Sequence, residues 1–311
     1  MKYKCNKKLG EPVNIGIIGG GAVGLLFAAY YGEQHNVVVY CKRKEQAQKI
    51  TTEGIKLKYE DNYLVVPVSG KGTMEDLKLQ ELIIIAVKQH QLESLLPLLR
   101  TLPRHIPLLF IQNGMGHVSI LQSMLQKSIF VGTIEHGAVR MGDRAVSHNG
   151  IGKTNIAVFK GGSTVINTFP LLENPLFPVV FNHDYLEMLE AKLIANAVIN
   201  PLTTLFRVKN GELITNPSYY EIFKQLYHEI LKCFPKWDNH YIDDIIKICV
   251  NTSKNTSSML KDMTEGRKTE IEAILGYIVD KGKKESVDIP VARFVYRAII
   301  GMEIERGIRA K

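Results

Sequence analysis

Cysteine, tryptophan and long apolar runs are all scarce in this chain of 311 residues. Its four cysteines are scattered, with no Cys-x-x-Cys pair and no histidine at zinc-ligand spacing, so the common zinc patterns are excluded. Such isolated thiols fit a reducing cytosol rather than a disulfide framework. The longest apolar runs, such as Leu82–Val87, are far too short to span a bilayer. We therefore expect a cytoplasmic protein with neither a metal centre nor a membrane span.

The charge of the chain is moderately basic, with a net value of +8. This surplus suits an anionic cofactor or substrate, although solvated surface charge gives the same count. No lysine- and arginine-rich tract with interleaved aromatic residues marks a nucleic-acid surface. The basic segment Met1–Val13 has no apolar core of signal-peptide length, so we expect a tail that carries no export signal. The expected partner is a small molecule, and the expected assembly is a monomer or a homodimer.

The first half of the chain alternates short β-branched runs with amphipathic stretches, which predicts a mostly parallel sheet covered by helices on both faces. A polar interlude at Ile55–Val68 is typical of an inserted hairpin. Period-two alternation over Gly137–Phe159 predicts antiparallel additions at the edge of the same sheet. The predicted strands are Asn14–Ile18, Val37–Tyr40, Leu82–Val87, Leu108–Ile111 and Phe130–Thr133, and the predicted helices are Ala22–Glu33, Lys44–Glu53, Gln91–Arg100 and Val118–Leu125.

From about Asp184 the pattern becomes almost entirely helical. We therefore divide the chain into an α/β domain at 14–183 and an all-α domain at 184–311, each large enough to bury a core of its own. The predicted helices of the second half are Tyr185–Leu205, Ser218–Phe234, Tyr241–Asn251, Thr269–Lys281 and Val291–Arg306.

A glycine-rich motif, G-x-G-x-x-G, directly follows the first predicted strand and opens the first predicted helix. Gly19 permits a tight turn, Gly21 lets the backbone approach a pyrophosphate, and Gly24 lets the helix pack close to the strand. The residues between them are Gly20, Ala22 and Val23. The context of strand, loop, helix and second strand predicts a Rossmann-type dinucleotide site with phosphates at the helix N-terminus. The alternative is a glycine-rich turn without a ligand.

The end of the second strand discriminates between cofactors. An NAD site usually carries an acid there for the ribose 2′-hydroxyl. This chain instead has Lys42, Arg43 and Lys44, and its first acid is Glu45. Three consecutive cations favour the 2′-phosphate of NADPH, although they could also be an exposed basic helix start.

Two further polar residues follow predicted parallel strands, at the edge where open α/β sheets bind ligands. Lys88 comes after Leu82–Val87, and Asn113 comes after Leu108–Ile111. A solvated lysine and an ordinary turn asparagine are the alternatives.

A polar stripe interrupts the apolar helix predicted around 191–205. Lys192, Asn196 and Asn200 are spaced four residues apart and therefore share one helix face. Each polar hydrogen bond left unmade in such surroundings costs roughly 1–3 kcal/mol, so a polar ligand is the economical explanation. Caps on neighbouring loops, or an unseen carboxylate, would satisfy the stripe equally well.

Three more polar residues of the second half stand in apolar company. Asn210 precedes a glycine and could be an ordinary turn residue, and Ser258 could simply begin a helix. Glu270 lies near a predicted helix start, where the helix dipole favours an acid in any case. Their significance depends on whether they converge on Lys192.

Read together, these motifs resemble one family closely. The chain is similar to ketopantoate reductases (2-dehydropantoate 2-reductases) from about Asn14 to Gly307, nearly its whole length. The segments that carry the resemblance are GGGAVG, AVKQHQ, IQNGMG, AKLIANAVINPLT, NGEL and SSMLKDMTEGRKTEIEAI. The resemblance implies a Rossmann-type N-terminal domain followed by an all-α, 6-phosphogluconate-dehydrogenase-like C-terminal domain. It also implies NADPH-dependent reduction of 2-dehydropantoate to pantoate, on the route to pantothenate and coenzyme A.

The resemblance assigns a role to each matching position. Lys192 matches the proton donor of the family, and Glu270 matches the acid beside that lysine and the cofactor. The implied substrate-binding residues are Asn113, Asn196, Asn200, Asn210 and Ser258, and the implied NADPH contacts are Gly19, Gly20, Gly21, Ala22, Val23, Gly24, Lys88, Asn113 and Ala138.

The chain departs from the family pattern at a few positions. Leu189 stands where relatives often carry a tryptophan, and the tail Met1–Val13 has no counterpart. Lys42 stands where an arginine commonly meets the 2′-phosphate, which leaves open whether Lys42 or Arg43 does so here; lysine is the poorer fork for phosphate.

The chemistry of ketone reduction explains why a lysine is wanted. Hydride addition places negative charge on the carbonyl oxygen, which needs a proton or a cation within hydrogen-bonding reach. Apolar burial would lower the pKa of a lysine, and a nearby glutamate would raise it. Our hypothesis is that Glu270 orients Lys192 and keeps it protonated until transfer. Two rival readings are a related NADPH-dependent 2-keto-acid or 3-hydroxy-acid reductase and a non-catalytic NADPH sensor.

Overall fold

A computed structural model describes residues 12–162, 169–170, 172 and 174–310. They form two compact units. The first runs to Gln112 and resumes from His117 to Met188, and the second consists of Asn113–Gly116 and the chain from Leu189 onward. The domain boundary predicted between residues 183 and 184 falls a few residues earlier and stays a prediction.

The elements of the first unit alternate as the sequence pattern predicts, with additional short strands. Its helices are α1 Ala22–Gly32, α2 Lys44–Glu53, α3 Gln89–Thr101 and α4 Val118–Gln122, with a 3₁₀ turn at Leu77–Leu79. Its strands are β1 Asn14–Ile18, β2 Asn36–Tyr40, β3 Ile55–Tyr59, β4 Asn62–Val66, β5 Ser69–Lys71, β6 Leu82–Ile85, β7 Leu108–Phe110, β8 Ile129–Ile134, β9 Gly137–Arg140, β10 Ala145–Gly150, β11 Thr154–Lys160 and β12 Val179–Asn182.

The main sheet has eight strands in the order β12-β11-β8-β7-β6-β1-β2-β5. The six strands from β5 to β8 in this order run parallel, β11 is antiparallel to β8, and β12 is parallel to β11. Counted among themselves, the six parallel strands follow the order 3-2-1-4-5-6 of a doubly wound dinucleotide-binding sheet. The order reverses between β1 and β6, so the loops after these two strands lie at the switch point where such sheets bind ligands.

A second, four-stranded sheet in the order β4-β3-β10-β9 covers the other side of α1. The hairpin predicted at Ile55–Val68 is present as β3 and β4, but β9 and β10 do not extend the main sheet as we expected. Only β11 joins the main sheet antiparallel. The physical reason lies in α1, which is buried from Gly24 to Tyr31 and contacts β1 and β2 as well as β3, β9 and β10. A helix that is apolar all round needs cover on both faces.

The second unit is helical apart from its loops. Its helix α5 begins before the unit boundary and continues without a break through Pro201. The helix predicted at Thr269–Lys281 is instead a bend followed by a π-helix at Glu272–Gly276 and then α10. The helices are α5 Tyr185–Phe206, α6 Glu212–Thr215, α7 Pro217–Lys232, α8 Tyr241–Asn251, α9 Ser258–Thr264, α10 Tyr277–Lys284 and α11 Pro290–Glu305. Within the described ranges, no helix is long and apolar enough to cross a membrane.

Candidate active site

The glycine-rich loop has the shape that a pyrophosphate requires. Gly19 has a φ of +115°, and a Cβ added to Gly24 would overlap the carbonyl oxygen of Gly19, so the fold itself demands glycine at both positions. A Cβ added to Gly21 would meet no atom within 4 Å. No side chain of the described residues caps the N-terminus of α1, which starts with the half-buried Ala22 and Val23. The loop therefore offers open space beside uncapped N–H groups, as an anionic diphosphate needs.

Gly20 is held by a residue that the sequence did not single out. The side-chain Nε2 of Gln46, on α2, donates hydrogen bonds of 2.8 Å to the carbonyl oxygen of Gly20 and of 2.8 Å to that of Asp143. Gln46 is buried. A Cβ on Gly20 would lie 2.5 Å from the same nitrogen, so Gln46 occupies the space that a larger residue would need.

The cations after β2 differ in their surroundings. Lys42 is exposed and makes no ion pair within the described part of the chain. Arg43 caps the start of α2 and pairs with Asp143, to which Lys49 (3.1 Å) and Arg140 (3.1 Å) also bind. The hydrogen bonds from Arg43 and Lys49 lower the pKa of the Asp143 carboxyl to about 2. Asp143, which is distant from Arg43 in the sequence, thus adds a carboxylate to this cluster of cations.

The loop after β6 lies against the glycine-rich loop. A Cβ on Gly19 would be 3.0 Å from the carbonyl oxygen of Ala86, two residues before the half-buried Lys88. Gln112, just after β7, donates hydrogen bonds to the carbonyl oxygens of Ile85 (2.7 Å) and Val87 (3.0 Å). This buried glutamine joins the ends of two parallel strands.

Ala138 lies on β9 of the second sheet, opposite His148 of β10, and packs partly against the core of the first unit. Its backbone is therefore held by the strand ladder and by the core beneath it.

Two residues predicted from separate motifs are in contact. The side-chain Nδ2 of Asn113 donates a 2.8 Å hydrogen bond to Oε2 of Glu270, and both residues belong to the second unit. Gly114, with a φ of +82°, brings its backbone so close to the π-helix that a Cβ would overlap the carbonyl oxygen of Ala273. The Asn113 loop is therefore packed tightly against the segment that follows Glu270.

The residues of the predicted polar stripe lie on α5, in the part of the helix whose other residues, from 193 to 204, are buried. Lys192 and Asn196 are half-buried, Asn200 is 7% exposed, and the residues between them are almost all buried. The side-chain amides of Asn196 and Asn200 have no hydrogen-bond partner among the residues that the structure describes. Caps on neighbouring loops therefore do not account for these two asparagines.

Asn210 lies in a turn and Ser258 begins α9, as their ordinary alternatives state, and their side chains have further features. Asn210 is buried; its Nδ2 donates a 2.8 Å hydrogen bond to Thr252, whereas its Oδ1 has no partner in the described segments. Ser258 is the first residue of α9, but the hydroxyl of Ser257 provides the cap by accepting from Leu260 N–H at 3.2 Å. The exposed hydroxyl of Ser258 is thus not used as a helix cap.

The segment that carries Glu270 is fixed by a buried charge that sequence reasoning missed. Glu303, on α11, is fully buried and accepts hydrogen bonds from the backbone N–H (2.8 Å) and the hydroxyl (2.6 Å) of Thr269. Its other oxygen accepts from Nε of Arg309 at 2.8 Å. No local pattern in the sequence identifies such a long-range anchor.

The fold and the glycine-rich loop define a dinucleotide-binding protein with a helical second unit, and comparison with known proteins specifies its family. A family described as "Ketopantoate reductase PanE/ApbA" matches residues 15–161, and its C-terminal counterpart matches residues 184–303. The 2-dehydropantoate 2-reductase of Bacillus subtilis is 38% identical over 296 residues, covering 94% of this chain and 98% of the relative. That of Listeria innocua is 36% identical over 301 residues, covering 96% and 99%.

Solved structures agree with this comparison. A Bacillus subtilis crystal structure, described as a probable 2-dehydropantoate 2-reductase, has a TM-score of 0.84 and 38% identity, and the match covers 93% of this chain and 100% of that one. D-mandelate dehydrogenase in complex with NADH and anilino(oxo)acetate has a TM-score of 0.82 over 95% of this chain and 100% of that one, at 22% identity, which indicates a shared fold alone. The chain belongs to the ketopantoate reductase family.

Proposed function

We propose that this protein reduces 2-dehydropantoate to pantoate with NADPH, in the cytosol and on the route to pantothenate. The observation that carries the proposal is the stripe on α5, where Asn196 and Asn200 have no partner within the described residues although the helix around them is buried. Both amides are thus available to bind a ligand, and a small polar substrate would supply their hydrogen-bond partners. Membership of a reductase family identifies the class of that substrate.

The residues of the first unit suit a nicotinamide dinucleotide. When bound, the cofactor supplies the hydride. The open space at Gly21 and the uncapped start of α1 suit its diphosphate. Lys42 and Arg43 support the 2′-phosphate of NADPH, because no acid stands directly after β2 to accept a 2′-hydroxyl.

The chain's own residues then provide the proton and the binding groups. We assign proton donation to Lys192, whose ammonium can both stabilise and protonate the developing alkoxide. Glu270, which accepts from Asn113, would orient the lysine. Asn196, Asn200 and Ser258 can hold a carboxylate without adding a competing charge, and the buried Oδ1 of Asn210 can accept a hydrogen bond from a substrate hydroxyl.

The test compares oxidation of NADPH and NADH, followed by absorbance, with 2-dehydropantoate and with pyruvate. We expect turnover with NADPH and 2-dehydropantoate. In Lys192→Ala, kcat should fall by about 10²- to 10⁴-fold while NADPH binding survives. Lys247→Ala is the matched control, because Lys247 is an exposed lysine of the same unit that pairs with Asp244 on α8.

Each contrary outcome has its own meaning. A wild-type protein that binds NADPH but oxidises it with neither keto acid would contradict the reductase proposal and favour a sensor. Preference for another keto acid would keep the chemistry and overturn the substrate. A Lys192→Ala protein with near-normal kcat would remove Lys192 from the mechanism.

A further inference from the structure

An acid stands at the centre of the basic cluster beside the glycine-rich loop. Asp143 lies in the turn between β9 and β10 and binds Arg43, which caps α2, together with Lys49 and Arg140 at 3.1 Å each. The side chain of Asp143 is 20% exposed, whereas those of Arg43 and Lys49 are at least half exposed. The cations thus converge on one carboxylate and keep their outer surfaces accessible to solvent.

The cluster is joined directly to the glycine-rich loop. A single nitrogen, Nε2 of the buried Gln46, bridges the carbonyl oxygens of Gly20 and Asp143. Arg43 follows β2, the strand whose end reads the ribose 2′ position in doubly wound folds. Asp143 therefore brings an acid to the cofactor-discriminating position, where the local sequence from Cys41 to Lys44 contains none.

We propose that Asp143 is a specificity-determining residue that competes with the 2′-phosphate of NADPH for the cations around it. The proposal rests on the NADPH function given above. A phosphate dianion close to Asp143 would be repelled by it and would have to displace it from Arg43 and Arg140. Exposed ion pairs of this kind are weak, so displacement is feasible but reduces the affinity for NADPH. NADH has no 2′-phosphate and bears no such cost.

This competition limits how strongly the site distinguishes the two cofactors. Substitution Asp143→Asn removes the charge but leaves the backbone oxygen that Gln46 binds. It frees Arg43, Lys49 and Arg140 to face the phosphate. The expected result is about three- to tenfold tighter NADPH binding, the size of one screened charge acting on a dianion, with NADH affinity changed less than about twofold.

The experiment measures the Kd of NADPH and of NADH by calorimetry for the wild type and Asp143→Asn, at low and high salt. The gain for NADPH should shrink as salt rises, which a purely structural change in the turn would not produce. Glu53→Gln is the matched control. Glu53 ends α2 and pairs with Arg144 at 2.7 Å, so the control removes an equal charge beside the next residue of the same turn.

The outcomes separate this proposal from the one it rests on. If the wild type prefers NADPH but Asp143→Asn binds it equally well or more weakly, the role of Asp143 is refuted and the proposed function stands. If Glu53→Gln gives the same gain, the effect is one of net charge and the proposal is also refuted. A wild type that binds neither dinucleotide overturns both.

Discussion

His117 gives a direct test of how burial controls the pH dependence of stability. It precedes α4 in the first unit, is completely buried, and neither ring nitrogen has a hydrogen-bond partner within the described residues. Burial lowers the pKa of His117 to about 4, from an ordinary value near 6.5. The perturbation is His117→Met, which keeps a similar volume and fills irregular space without a polar atom.

The sign of the effect follows from the two protonation states. Below pH 6.5 the unfolded chain binds a proton at His117 that the folded protein resists until about pH 4, so stability falls as the pH decreases through this range. The lowered pKa of His117 corresponds to roughly 3 kcal/mol of stability, most of which is lost by pH 4.5. Above pH 7 the group is neutral in both states and contributes no slope.

The assay is urea unfolding of the wild type and His117→Met between pH 4.5 and 7.5, followed by far-ultraviolet circular dichroism. At pH 7.5 the variant should be as stable as the wild type or slightly more so, because two unpartnered ring nitrogens leave the interior. At pH 4.5 its advantage should have grown by about 2.5 kcal/mol. Burial also lowers the pKa of His35, His136 and His148, so the free energy of unfolding of the variant still depends on pH. The test is therefore the difference between the wild type and the variant at each pH. Parallel stability curves would refute the reasoning.

Substitutions at three further places, namely the glycine-rich loop, Glu303 and Asn210, test the candidate site. Gly21→Ala should change the free energy of unfolding by less than about 1 kcal/mol, because its Cβ meets open space. The same substitution should weaken dinucleotide binding at least about tenfold, as measured by calorimetry. Gly24→Ala, in contrast, should lower the free energy of unfolding by about 3 kcal/mol or more. Glu303→Gln should cost about 3 kcal/mol in urea unfolding, because a neutral amide replaces the fully buried carboxylate that binds Arg309 and Arg309 keeps only its more exposed pair with Glu272. Asn210→Ala should raise the KM for the keto acid about tenfold in steady-state assays and leave the Kd of NADPH unchanged, because it removes a buried acceptor.

Each of these three has a contrary result. Normal dinucleotide affinity in Gly21→Ala would mean that the open space beside the loop does not receive the diphosphate. A Glu303→Gln protein of wild-type stability would show that a neutral amide satisfies the groups around it as well as the carboxylate does. An unchanged KM in Asn210→Ala would show that its Oδ1 does not face the substrate.

The core of the parallel sheet could be predicted because its signal is local. Strand β1 and helix α2 begin and end where the pattern places them, and β2, β6, β7 and β8 differ by one or two residues at their ends. A strand buried on both faces shows a continuous apolar run, and the glycine-rich turn marks the start of α1. These features need no knowledge of distant residues.

The second sheet could not be predicted from the same signals. Strands β9 and β10 alternate with a period of two, as would any half-buried strand, and that period does not say which sheet they join. The choice depends on α1, whose fully apolar surface needs a second layer of cover. The strands β5 and β12 were missed because β5 contains no apolar residue and none of the four residues of β12 is buried, whereas the equally short β6 and β7 are buried throughout.

The roles of the candidate site residues stay predictions, and the contacts that support these residues could not be predicted. Asn113 and Glu270 were identified from separate motifs, and their 2.8 Å contact depends on the bend and π-helix that replace a regular helix there. Gln46 and Asp143 act on the glycine-rich loop from 26 and more residues away, through contacts that no spacing rule encodes.

Among the described residues, some polar groups with little exposure have hydrogen-bond partners and others have none. We expect this difference to distinguish structural from functional positions. Glu303 is fully buried, and both of its oxygens accept hydrogen bonds, so the interior has been built around its charge. The Oδ1 of Asn210 is buried without a partner, and the amides of the half-buried Asn196 and of Asn200, which is 7% exposed, also lack partners in the part of the chain that the structure describes. An apolar residue at any of these three positions would fold at lower cost. We therefore expect a ligand to supply the missing hydrogen bonds at these positions, because the stability of the helices does not require polar residues there.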